Sequence, residues 1–363
     1  MVCIKANSLP IFFIMGRPRS GTTLLSTLFD AHPNVKLPPE YPVFLLLYQK
    51  FRKVKTWDHA QIISFVDHVF QNHTFNNLTL GNLKINREAF IAELTSLAYK
   101  GTIQDFLKKI NEQAFSLFPK QEIFQIGDKN PVYSIHTKRF LKIFPEAKFI
   151  CIIRDYRDNY LSMRNLSELR LEAPDLGLQV ARWRFVARLF LECKKRYPAR
   201  FHIVRYEDLV TDQENVMREL CGFIGISYNP SVFDFFKLKD ESMKFYPREL
   251  FEKFHQSLMN PVNTGRMNLW KKQMDEKQVR VADQIAGKTA DVLGYERGEK
   301  RFSLAVYLIS LPMVIYASLL FRVMQLGSYL PYDSTRWLSR KILKLAGIYS
   351  RFSGRKSMSY QAK

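Results

Sequence analysis

Residues Pro10 to Pro33 read PIFFIMGRPRSGTTLLSTLFDAHP. An apolar run, Leu9 to Met15, enters Gly16-Arg-Pro-Arg-Ser-Gly21-Thr-Thr, and an apolar-periodic helix starts at once. A buried strand, a turn bounded by glycines and a helix N-terminus form the layout of a phosphate-binding loop. Backbone N–H groups and the positive end of the helix then face an anion. Such a loop sits at the ligand edge of a parallel sheet, so it restricts the fold to a small set of α/β architectures.

The rest of the chain supplies that sheet. Ile11–Met15, Ile123–Ile126, Lys148–Ile153 and Phe201–Arg205 are short β-rich runs separated by helical spacing. Continuous apolar runs such as FICII suit strands buried on both faces. The expectation is a P-loop-like three-layer α/β domain with a central parallel sheet flanked by helices. It should occupy residues 1–300. Between Phe44 and Gln121 the pattern is helical and amphipathic, which reads as an insertion covering the C-terminal edge of the sheet.

A nucleotide-hydrolysing loop reads GxxxxGK[ST], with its lysine on the β/γ-phosphates and its hydroxyl on Mg²⁺. The spacing Gly16 to Gly21 is kept here, but Thr22-Thr23 replaces Lys-[Ser/Thr], and the cations Arg17 and Arg19 lie inside the loop. The expected ligand is therefore a nucleotide whose leaving part is stabilised by arginine and backbone donors, without a metal. A second anion site is offered by KFICIIRDYRDNYLSMRN. Arg154 ends a buried strand, and Ser162 follows eight residues later in the next helix. The net charge of +21 agrees with an anionic partner, for which nucleic acid, a membrane surface and a phosphorylated small ligand all have the right sign. No DNA- or RNA-binding signature is present, so nucleic acid is not expected. The four cysteines, Cys3, Cys151, Cys193 and Cys221, are scattered and form no metal or redox pattern, which favours a reducing, cytoplasmic compartment.

Together these motifs resemble the sulfotransferases that use 3′-phosphoadenosine 5′-phosphosulfate (PAPS), over about residues 9 to 296. The resemblance is closest to the tyrosylprotein-sulfotransferase-like branch. It runs in order through PRSGTTL, DAHP, a glutamate, DKNP, KFICIIRD, SM, RYEDLV, and PVN followed by W and LGY. It implies that Arg19, Ser20, Gly21, Thr22 and Thr23 hold the 5′-phosphosulfate, and that Arg154 and Ser162 hold the 3′-phosphate. Tyr206 would lie near the nucleotide, and Arg266, in NPVNTGRMNLW, would close over the 3′-phosphate. Glu40 falls at the position of the catalytic base, and Lys129, in GDKNP, at that of the lysine supporting the transferring group. His32 and His136 are rival bases. The chain departs from the branch at Tyr41-Pro42, where that branch carries basic residues suited to acidic peptides, and no cysteine matches its disulfides. The acceptor class stays open: a glycan, a lipid head group or a small hydroxylated metabolite. The other readings of these residues are a P-loop nucleotide kinase or NTPase, and a non-catalytic protein that binds an anionic ligand.

The C-terminal region differs in kind. Phe302 to Phe321, FSLAVYLISLPMVIYASLLF, is uncharged and long enough to cross a bilayer, with Lys300-Arg301 and Arg322 at its ends. Asp333 is the only acid beyond it. Residues 301–363 are expected to form a membrane-associating helical tail on the cytoplasmic side. The expected form is a hairpin broken at Pro312 and then an amphipathic helix from about Trp337, the alternative being a simple transmembrane anchor.

Overall fold

The computed structural model describes residues 8–70, 83–98, 101–116, 118–167, 175–238, 260–335 and 337. Strand β1 (Ile11–Met15) is followed by α1 (Thr22–Ala31), a two-residue β2 (Val35–Lys36), then α2 (Phe44–Phe51), α3 (His59–Phe70), α4 (Arg87–Leu97) and α5 (Ile103–Gln113). Next come β3 (Gln125–Lys129), a 3-10 turn (Pro131–His136), α6 (Thr137–Ile143), β4 (Lys148–Ile153), α7 (Tyr156–Ser167) and α8 (Leu176–Arg196). Then follow β5 (Phe201–Arg205), α9 (Tyr206–Thr211), α10 (Gln213–Ile224), a second 3-10 segment (Pro230–Leu238), and the helices α11 (Trp270–Gln273), α12 (Glu276–Ala286), α13 (Lys288–Val292) and α14 (Leu304–Gly327). The sheet has order β2-β3-β1-β4-β5, and all its pairings are parallel.

The chain forms two compact units. One comprises residues 1–155 and 186–267, the other residues 156–185 and 268–363. The first contains the sheet. Side chains alternate across a strand, so Phe12 and Ile14 of β1 face one way and Phe13 the other. On the first face, Phe12, Ile14, Ile150, Ile152 and Val204 share a core with Leu24, Leu25 and Leu28 of α1 and with Leu220 and Ile224 of α10. On the second, the Phe13 ring meets Phe149 at 5.5 Å, Phe140 at 5.0 Å and Phe144 at 5.2 Å, and Phe149 stacks on Phe201 at 4.8 Å. Aromatic burial on both faces suits β1 and β4 to inner positions, as their unbroken apolar runs require.

Strands β1, β4 and β5 coincide with the runs read from sequence. Strand β3 does not: it spans Gln125–Lys129, not Ile123–Ile126. Its Gly-Asp-Lys reads as a turn, yet here it lies inside the sheet. A Cβ on Gly127 would come within 2.7 Å of Leu37 Cδ1 and 2.8 Å of Phe12 Cζ, so any side chain there would displace both. The buried Asp128 carboxylate accepts from Asn130 Nδ2 at 2.8 Å and Asn111 Nδ2 at 3.4 Å. The shift places Lys129 at the C-terminal end of the strand. Helices α2 to α5 form the expected helical segment around Phe51, Trp57, Phe65 and Phe106, with Trp57 and Phe106 stacked at 3.9 Å. Asn111 of α5 ties it to the sheet by donating to the Gly127 carbonyl at 2.8 Å.

In the second unit the centre is Arg157. Its guanidinium lies 3.6 Å from the Trp270 ring and 4.7 Å from the Tyr156 ring, pairs with buried Asp283 at 3.5 Å and donates to the Glu296 carbonyl at 3.0 Å. Asp158 accepts from the Asn268 and Trp270 N–H groups at 2.7 and 2.9 Å. Helix α14 also belongs to this unit. It runs unbroken through Pro312, so the break expected there is absent. A proline inside a helix removes one backbone bond and crowds one carbonyl, which bends a helix without having to end it. The amphipathic helix expected beyond Trp337 lies outside the described residues.

Candidate active site

The phosphate-binding loop is built in the first unit. Arg19 has φ 67° and Gly21 φ 92°, both left-handed. Ser20 N–H closes the turn on the Arg17 carbonyl at 3.2 Å, and Gly21 caps α1. Two left-handed residues one apart turn consecutive N–H groups into a concavity suited to an anion. A non-glycine residue held at positive φ stores about 1–3 kcal/mol of strain, a usual mark of a functional turn. At Gly21 a Cβ would come within 2.5 Å of Tyr206 Cδ2, so side-chain bulk is excluded as well. At the head of the loop, the buried Ser134 hydroxyl donates to the Gly16 carbonyl and accepts from the Gly16 N–H, both at 2.8 Å.

Arg154 and Arg266 lie against this loop, beside its own Arg19. Arg154, at the end of β4, donates to the Arg19 carbonyl at 3.2 Å and to the Arg266 carbonyl. Its guanidinium lies 4.9 Å from the Tyr206 ring. Burial, followed by the neighbouring charges of Arg266 and Arg154, pushes the Arg19 guanidinium down to about 10. It remains protonated at neutral pH, so the cluster concentrates positive charge where an anion would relieve it.

The second constellation lies at the ends of β2, β3 and the start of α1. Lys129, only 5% exposed, pairs its Nζ with Glu40 Oε1 and reaches Thr23 Oγ1 at 3.3 Å. Glu40 comes from the loop after β2, and its side chain is 29% exposed. A carboxylate, a cation and a loop hydroxyl are therefore adjacent, with the carboxylate open to solvent.

Of the rival bases, one is hydrogen-bonded elsewhere and the other is buried. His32 accepts from the Asn34 N–H at Nδ1 (3.1 Å) and so donates from Nε2 to the Ser227 carbonyl (2.9 Å). It ends α1. His136 is buried where the 3-10 turn meets α6, and burial lowers it to about 4.

The chain matches the sulfotransferase family over residues 10–230, which is more than half of its length. The chain belongs to the sulfotransferase family. It is 24% identical to a protein-tyrosine sulfotransferase of Drosophila melanogaster over 293 residues, covering 80% of this chain and 52% of that protein. It is 22% identical to a putative protein-tyrosine sulfotransferase of Caenorhabditis briggsae, covering 82% of this chain and 92% of that protein. This chain thus spans about half the length of the first relative and nearly all of the second. The sulfotransferase domain of the Synechococcus PCC 7002 olefin synthase shares the fold, with a TM-score of 0.53 and 21% identity, covering 80% of this chain and 98% of that domain.

Within this sulfotransferase fold, Arg19, Ser20, Gly21, Thr22, Thr23, Arg154, Tyr206 and Arg266 belong to the first unit, as do Glu40 and Lys129. Ser162 lies on α7 of the second unit. Its assignment to a 3′-phosphate rests on the motif resemblance alone. The Ser134 clasp on Gly16 was not legible in the sequence. It joins residues 118 positions apart, and nothing in GDKNPVYSIH marks one serine as a loop support.

Proposed function

We propose that this chain transfers a sulfuryl group from PAPS to a hydroxyl or amine of an acceptor. The observation that carries the proposal is the Glu40–Lys129–Thr23 constellation at the head of α1, next to a loop ringed by arginines. The residues fit the donor. A turn of left-handed backbone with a helix N-terminus suits one phosphate-like group, and Arg154 with Arg266 supplies charge for a second.

When bound, PAPS supplies the sulfuryl group and a stable leaving phosphate. Arg19 and the N–H groups of Ser20 to Thr23 hold the 5′ end, and Tyr206 packs beside the nucleotide. Glu40 takes the acceptor proton as the acceptor oxygen or nitrogen bonds to sulfur. Lys129 offsets the negative charge that grows on the oxygen linking sulfur to phosphate as that bond breaks. Residues of this chain carry these roles without a metal ion.

The acceptor is a hydroxyl or amine compound within the classes left open by sequence. The tyrosine hydroxyl named for the curated relatives is of the same chemical class. Tyr41-Pro42 after Glu40 gives no basic ledge for an acidic peptide, which favours a glycan, lipid or small-molecule acceptor.

Calorimetry separates this from the kinase reading. Titration with the desulfated donor, adenosine 3′,5′-bisphosphate, should show binding in the presence of EDTA. Absent binding together with Mg²⁺-dependent ATP hydrolysis would replace the sulfotransferase reading with the kinase one.

A further inference from the structure

Helix α14 presents two unlike faces. At its start, the Ser303 N–H donates to Gln284 Oε1 at 2.9 Å, and Gln284 Nε2 donates to the Ser303 carbonyl at 2.8 Å. In the middle, Ser310 and Ala317 are buried, seven residues apart and so on one stripe. Near its end, Phe321 meets Phe185 edge-to-face at 5.3 Å, and Ser328 is buried. The helix is therefore fixed along about 36 Å of its length to the unit that contains it. The opposite face is apolar and open: Leu308, Ile309, Ile315, Tyr316, Leu319 and Leu326 are each more than half exposed, Ile309 at 77%. Only 11% of its most apolar 18-residue window is buried.

An apolar face of this extent is unusual on a protein surface bathed in water. A crossing helix would have to carry its own unit into the hydrocarbon. That unit holds charges that reach solvent, including Arg280, paired with Glu299, and Asp291, paired with Arg297, and each charge at mid-bilayer depth costs several kcal/mol. We propose that α14 lies flat in one leaflet of an anionic membrane, as a surface-docking helix that does not cross. Charge selects this occupant over a second copy of the chain. Lys300 and Arg301 precede the helix, Arg322 lies within it, and residues 334–363 contain eight lysines and arginines with no acid. A sequence this cationic around the helix repels its own copy and is drawn to acidic head groups. The inference does not depend on the sulfuryl-transfer reading, because it uses neither the loop nor Glu40.

The test uses the full chain and preformed vesicles of phosphatidylcholine, with or without a third of phosphatidylglycerol. The protein should float with the anionic vesicles and much less with the neutral ones. The triple variant Ile309→Glu, Ile315→Glu, Leu319→Glu should lose at least tenfold in bound fraction. A serine version of the same triple variant guards against misfolding, and both should keep the parent melting temperature within a few degrees. For topology, Phe302→Cys and Tyr329→Cys are made singly on a Cys3→Ser background, since Cys151, Cys193 and Cys221 are buried. An impermeant maleimide added outside should label both sites on bound protein. Labelling of one site only would mean a crossing and overturn the proposal. Self-association abolished by the triple variant, without flotation, would assign the face to a second copy. A monomer that does not float would assign it to the chain's own tail. Either result overturns the lipid assignment.

Discussion

Lys129 at the C-terminal end of β3 and Glu40 in the loop after β2 are ion-paired, although 89 residues separate them in sequence. The lysine is almost wholly buried and the carboxylate is open to solvent on one side. A buried cation gains little net stability from such a pair, since desolvation offsets the attraction. In the proposed reaction its use is to place a fixed positive charge beside the carboxylate that takes the acceptor proton. Lys129→Met should therefore lower turnover by about 10²–10³-fold, the range for removing a preorganised charge-stabilising donor. Affinity for adenosine 3′,5′-bisphosphate, which lacks the sulfuryl group, should change much less. Single-turnover kinetics and calorimetry on the same preparation check both halves.

Arg19→Ala and Arg154→Ala should each weaken binding of adenosine 3′,5′-bisphosphate. Loss of a charge-assisted contact costs about 1.5–3 kcal/mol, so the dissociation constant should rise about 10- to 150-fold. Arg154→Ala should also loosen the loop, because Arg154 bonds the Arg19 and Arg266 carbonyls. Unchanged affinity in both variants, measured by calorimetry, would remove the donor assignment.

Ser134→Ala removes a hydroxyl that serves both polar groups of the Gly16 peptide positions. A buried donor or acceptor left without a partner costs about 1–3 kcal/mol. Thermal unfolding should shift down accordingly. Ser134→Thr, which keeps the hydroxyl, should recover part of the loss, whereas equal loss in both variants would mean that packing matters and the clasp does not.

His136 gives the fold a defined acid sensitivity. Burial lowers it to about 4 from an ordinary value near 6.5, so it is neutral in the folded chain and gains a proton on unfolding. The unfolded state then binds more protons between these two values, and stability falls as pH drops from 6.5 through 4. Buried Asp128 works the other way. Burial raises it to about 6, so its contribution is fully present below its ordinary value of 3.8 and is lost as pH rises through 6. His136→Leu should make the fall in stability toward acid shallower between pH 6.5 and 4, where His32 and His202, also lowered by burial, still act in the same direction and Asp128 acts against them. Melting temperatures across that interval check it. A variant with the parent's pH profile would show that His136 does not set the acid limb.

Much of the donor half of this site is written in contiguous sequence. The loop, its glycines, Arg19 and Arg154 sit at the ends of two apolar strands whose burial on both faces makes them easy to read. The acceptor half is less legible. Glu40 and Lys129 come together only because β3 extends through Gly-Asp-Lys, a run whose local preference is for a turn. Packing of Gly127 against Leu37 and Phe12, and the amide bonds to Asp128, override that preference. The two-residue β2 is too short to carry a period. Arg157 and Asp158, next to Arg154 in the same motif, serve internal packing of the second unit, and spacing alone does not separate them from Arg154. The uncharged C-terminal stretch was legible as a helix. Its attachment along one side was not, since Ser310, Ala317 and Phe321 look like any other residues of an apolar run.

Glu40 is proposed above as the base in sulfuryl transfer from PAPS. It is tested most directly by incubating the parent chain and Glu40→Gln with sulfur-labelled PAPS and either a lipid or a soluble extract, and following the label into acceptor. The parent should label an acceptor, Glu40→Gln should do so at a rate about 10²–10⁴-fold lower, and the two should bind adenosine 3′,5′-bisphosphate equally. Near-parental labelling by Glu40→Gln, with donor binding intact, would contradict it.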